Sequence, residues 1–128
     1  MSNSLEPTAD GFAAVAARPA DAPVVMVNLL KFKSDGGRER YSQYGREVAP
    51  HLERVGASLL YAGGAPAVVI GDGESPWWDA ILIVAYPTPQ AFIEMVTAEG
   101  YAEVHEHRAA ALERADLIAT STWSVAGD

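Results

Sequence analysis

The stretch VVMVNLLKF, Val24 to Phe32, decides the fold. It opens with β-branched residues and is too apolar to alternate, as expected of a strand covered on both faces. WDAILIVAY, Trp78 to Tyr86, has the same character and predicts a second such strand. Between them, Arg38 to Val55 set at 100° intervals gathers Tyr41, Tyr44, Val48, His51, Leu52 and Val55 within an arc of about 100°. This is an amphipathic helix, with Pro50 opposite the apolar arc expected to remove one backbone bond and kink it, and Gly56 to stop it. Ala57 to Ile70 reads as extended chain interrupted at Gly63-Gly64-Ala65-Pro66, and Gly71 to Pro76 as a turn.

After the second strand, Thr88 is an N-cap and Pro89 takes the first helical position, where its missing N–H costs nothing. That helix turns Phe92, Met95 and Val96 inward, Gly100 offsets it, and a further helical piece is expected from Tyr101 to about Arg114. LIATSTWSV, Leu117 to Val125, alternates like an edge strand. The order is β-α-β-β-α-β, a ferredoxin-like α+β fold with helices on one face of an antiparallel sheet. Residues 1–22 read as an amino-terminal arm or short helix, and residues 23–128 as the domain. Because two strands are apolar on both faces, the second sheet face needs a cover. A twofold partner is the simplest one, and residues 1–22 folding over that face is the alternative.

The chain has 128 residues, 17 Asp+Glu, 9 Lys+Arg, a net charge of −8 and no cysteine. Disulfides, thiolate metal sites and a cysteine nucleophile are therefore excluded. Residues 1–22, 23–71 and 72–128 carry net charges of −2, +2 and −8, so the acid is concentrated in the second half, read as solvated surface. The acidic total argues against nucleic-acid binding. No stretch approaches the roughly 18 apolar residues of a membrane span, and the first 22 residues lack a signal-peptide pattern, so a cytoplasmic protein without a membrane partner is expected.

VVMVNLLKFK at 24–33, Tyr41…Tyr44…Val48-x-Pro50 leading to Gly56, WDAILIVAYPTPQAFIEM at 78–95, and Tyr101…Arg108-x-Ala110 together resemble the domain of unknown function 1330 family. The resemblance runs from residue 23 to about 122. It implies a dimeric α/β barrel, two ferredoxin-like units packed sheet to sheet, in a superfamily that includes cofactor-independent monooxygenases, small-molecule isomerases and haem enzymes. The family has no established activity, and fold alone discriminates poorly among these chemistries.

Asn28 is the one polar side chain within VVMVNLL, and a buried amide must find partners. On the last helix the 100° projection places Tyr101, Val104, His105 and Arg108 on one arc and turns His107 away. An imidazole one turn from a guanidinium can bind an anion and move a proton. His105, Arg108 and Asn28 are therefore candidate catalytic groups, with Tyr44, Tyr86, Tyr101 and His51 as candidate binding residues. Tyr44 and His51 are placed to close a pocket mouth. Each group also has a structural reading, as a satisfied amide, a core histidine or an arginine paired at the helix–sheet junction. His105 and His107, two apart on a helix, point about 200° apart and cannot share one ion, so no metal is expected. No haem attachment motif occurs, and no cofactor is expected. Trp77, Trp78, Tyr86 and Trp123 suit a dimer seam or a stacking wall. The expected ligand is a small organic acid or carbonyl compound, handled by cofactor-independent proton transfer or oxygenation. The alternative is a binding or dimerisation module without turnover.

Overall fold

Two registers organise the sheet. Along Val24–Phe32 (β1), one edge pairs antiparallel with Ala80–Tyr86 (β3), Met26 opposite Val84 and Asn28 opposite Leu82. The other edge pairs with Leu112–Thr120 (β4), Met26 opposite Ala119 and Asn28 opposite Leu117. Ser58–Gly64 (β2) closes the far side on β3, giving the order β2-β3-β1-β4, all antiparallel. This computed structural model describes residues 5–127. Its helices are Ala9–Ala16 (α1), Gly37–Arg54 (α2), Pro89–Thr97 (α3) and Tyr101–Ala111 (α4). The chain has the expected α+β, ferredoxin-like architecture.

Alternation along β1 sends Val24, Met26, Asn28 and Leu30 under the helices, where all four are buried. Their register partners Ala80, Val84 and Tyr86 join them, with Tyr44 and Val48 of α2, Phe92 and Met95 of α3, and Tyr101 and Val104 of α4. The opposite face carries Val25, Val27 and Leu29 beside Ile81, Ile83 and Ala85, none of which joins a buried cluster of the described residues. The arm does not cover it. Instead α1, capped by the Thr8 hydroxyl accepting from Gly11 N–H, packs on the helix layer, with Phe12 6.3 Å from Phe92 and Val15 buried. The alternative in which residues 1–22 fold over the second face is thereby corrected; residues 1–4 lie outside the described residues.

Four boundaries differ from expectation. The last helix stops at Ala111 rather than near Arg114, and β4 begins at once with Leu112, five residues earlier than predicted. The Ala111 carbonyl accepts from Lys33 N–H at 2.9 Å, and Leu112 pairs with Phe32 across a bulge, so the ladder with β1 outweighs local helix propensity. Trp123 and Val125, expected on that strand, follow it and are largely exposed. β2 ends at Gly64 because Ala65 takes the left-handed backbone (φ 51°) and Pro66 has no N–H to donate. The α2 helix runs through Pro50 to Arg54 as one element.

Candidate functional site

Between the helix-covered sheet face, α2, α4 and the arm lies a partly open cavity of about 1280 Å³. That exceeds the roughly 300–1,000 Å³ of typical ligand pockets. β1 and β3 supply its floor through Met26, Asn28, Leu82, Val84 and Tyr86; α2 gives Tyr41 and Tyr44; α4 gives Tyr101, His105 and Arg108. The arm adds Leu5, Glu6, Phe12, Val15 and Arg18. A shallower cleft of about 320 Å³ along the start of α2 is lined mostly by charged side chains such as Asp35, Glu39, Arg40 and Arg46.

Asn28 and Arg108 are the two buried polar or charged side chains among the described residues. Arg108 Nη2 donates to Asn28 Oδ1 at 3.4 Å, and its charge is near enough to the Tyr41 phenol to bear on that group's ionisation. Among the described residues no carboxylate lies within 4.0 Å of Arg108; the ion pairs are Lys31–Glu113, His105–Glu6 and His107–Glu47. A buried guanidinium thus faces an amide and phenols rather than a counter-ion, an arrangement costing several kcal/mol unless something else supplies negative charge.

Phenols surround this charge. Tyr44 and Tyr101 hydroxyls lie 3.4 Å apart, and the Tyr86 hydroxyl points to Met95 sulfur at 4.0 Å. Burial pushes the Tyr41, Tyr44 and Tyr86 phenols above their ordinary value. At Tyr41 the nearby Arg108 charge opposes that shift without cancelling it. All three phenols are therefore neutral near pH 7 and serve as hydrogen-bonding groups, not bases. His105 lines the same cavity, with Nε2 2.9 Å from Glu6 Oε1 and its ring 6.0 Å from that of Tyr101. When Nε2 carries the proton donated to Glu6, Nδ1 is left as the acceptor.

Of the residues singled out by sequence, Asn28, Tyr44, Tyr86, Tyr101, His105 and Arg108 converge on this one cavity, and His51 does not. His51 occupies the last turn of α2, about 10 Å along the helix from Tyr44. There Nδ1 hydrogen-bonds Arg54 Nη2 at 2.9 Å and the ring meets the edge of Tyr101, so it closes no pocket mouth. His107 turns away as expected and meets Glu47 and Arg40 of α2. Sequence reasoning missed Tyr41, although it stands three residues before Tyr44 on the same helical arc, a readable signal. It also missed Arg18, whose place depends on where the arm docks. Trp77 and Trp78 stack edge to face at 5.5 Å with Arg114 over Trp77, away from the cavity. Among the described residues no helix is long and apolar enough to cross a membrane, and no three His, Asp or Glu side chains gather where they could hold a metal ion.

The chain has similar proteins in sequence and in fold. The chain is similar over 96% of its length, and over 99% of the other chain, to a crystal structure of a protein of unknown function from Rhodopseudomonas palustris, at 31% identity and a TM-score of 0.82. A dimeric ferredoxin-like protein of unknown function from Bacteroides fragilis shares the fold at 11% identity and a TM-score of 0.55, covering 81% of this chain and all 100% of its own. A cofactor-independent oxygenase from Streptomyces nogalater does so at 11% identity and 0.53, covering 81% and 97%. No functionally curated protein matches. Residues 30–122 match the family described as domain of unknown function DUF1330, and the chain belongs to that family.

Proposed function

We propose that the protein binds a small organic acid or carbonyl compound in the cavity between sheet and helices. The observation that carries this reading is Arg108, buried beside Asn28 with no carboxylate at hand among the described residues. A ligand carboxylate or enolate supplies the missing charge, Arg108 and the Asn28 amide hold it, and Tyr41, Tyr44, Tyr86 and Tyr101 enclose the body. For an α-acidic carbonyl ligand, His105 Nδ1 takes the proton from carbon while the electron pair moves onto the oxygen facing Arg108 and Asn28. The enolate so formed is the electron-rich species that cofactor-free oxygenation requires. The likeness in fold to a cofactor-independent oxygenase supports such chemistry only at the level of architecture.

The site belongs to a homodimer formed sheet to sheet through Val25, Val27, Leu29, Ile81 and Ile83, with residues 1–22 as an arm walling the cavity of the 23–128 domain. The apolar sheet face that neither the helices nor the arm cover supports a partner.

Native mass spectrometry with added benzoate and phenylpyruvate tests the binding. A one-to-one adduct per protomer is expected, lost in Arg108→Met and weakened in Asn28→Ala; an unchanged adduct in both variants overturns the reading. Proton NMR of phenylpyruvate in D2O then separates enzyme from binding module. Exchange of its methylene protons that disappears in His105→Ala supports catalysis, whereas binding without accelerated exchange supports the module.

A further inference from the structure

Arg18 is a second guanidinium in the same cavity, brought there by the arm. Nη2 donates to the Ala119 carbonyl at 3.0 Å and Nη1 to the Ser121 hydroxyl at 2.5 Å, both neutral acceptors. Among the described residues its Nε is buried with no acceptor and no carboxylate lies within 4.0 Å of the group. In a chain with 17 acidic and 9 basic residues, two cavity arginines with no counter-ion among the described residues is not the distribution that charge pairing alone produces. Tethering an arm to a strand edge needs a donor and not a charge; each Nη keeps a second N–H, and the cation lines the cavity with that capacity unused.

The β1–β4 register sets the spacing. Arg108 holds Asn28, which faces Leu117, while Arg18 holds Ala119, which faces Met26. Two residues along a strand and one strand across separate the Asn28 and Ala119 backbones, to which the two arginines are held, by roughly 8 Å. From this we infer that the cavity takes a dicarboxylate, one carboxylate on Arg108 and Asn28 and the other on Arg18, spanned by a short apolar chain or ring against the tyrosines. This deepens the acid-binding reading and rests on it.

Isothermal titration calorimetry with matched probes tests it: adipate against hexanoate, and terephthalate against benzoate. Wild-type protein is expected to bind each diacid at least tenfold tighter than its monoacid. Arg18→Met, which keeps the aliphatic stem, brings the diacid to within about threefold of the monoacid and leaves the monoacid unchanged. Ser121→Ala loosens one tether, keeps the charge and retains the diacid preference. Arg108→Met weakens all four probes. Equal affinity for diacid and monoacid, a preference that survives Arg18→Met, or the same loss in Ser121→Ala as in Arg18→Met overturns the second anchor while leaving a monoacid site standing. Failure of every probe to bind wild-type protein removes the acid site and this inference together.

Discussion

Ile83 sits at the middle of the open sheet face, opposite Val27 on β1 and Tyr61 on β2. Changing it to lysine places a charge where two sheets are expected to meet. A twofold interface presents the substitution twice. Each copy forfeits about 2 kcal/mol of isoleucine burial and adds the cost of desolvating an ammonium or displacing it from the seam. A total of about 5 kcal/mol is a conservative figure, equal to more than a thousandfold in the dissociation constant. Sedimentation velocity at micromolar protein therefore shows wild type as a dimer and Ile83→Lys as a monomer. Circular dichroism should be retained, because Ile83 is only partly buried within the protomer and touches neither buried cluster. A wild-type monomer, or an Ile83→Lys protein with an unchanged dimer, refutes the sheet-to-sheet account.

The protomer core makes separate demands. Leu30 is fully enclosed with Ala111 and Leu112, so Leu30→Ala is expected to cost about 3 kcal/mol in urea unfolding. At Gly37 an added Cβ would lie 2.6 Å from the Ala111 carbonyl oxygen and 3.1 Å from Phe32 backbone, two fixed groups; Gly37→Ala should cost about 1–3 kcal/mol and lower Tm by several degrees. The buried phenols of Tyr41, Tyr44 and Tyr86 keep their protons in the folded state at a pH where the unfolded chain loses them. Their contribution is thus present below about pH 10 and declines above it. Absorbance at 295 nm should show these three ionising only with unfolding, and their free titration near pH 10 in folded protein would contradict the enclosed ring.

Periodicity made most of the fold legible. β1 and β3 are continuous apolar runs, α2 has a sharp apolar arc, and Thr88-Pro89 marks the start of α3 at the residue where the structure begins it. Where local preference and long-range pairing disagree, the sequence misleads. Ala109 to Arg114 favours a helix by composition, yet Leu112 onward is drawn into the ladder with β1. Asn28, His105 and Arg108 could be placed on one side because strand and helix periods say which way each points. His51 shares the angular position of Tyr44 but not its height along the helix, a coordinate that a projection discards. Arg18 was out of reach because nothing local says where the arm docks.

A crystal structure with 4-bromobenzoate, located by bromine anomalous scattering, tests the acid-binding cavity most directly. The expected density places the carboxylate within hydrogen-bond distance of Arg108 and of the Asn28 amide, with the ring among Tyr41, Tyr44 and Tyr101. Bromine found only outside the cavity, with Arg108 still bonded to Asn28 alone, would contradict it.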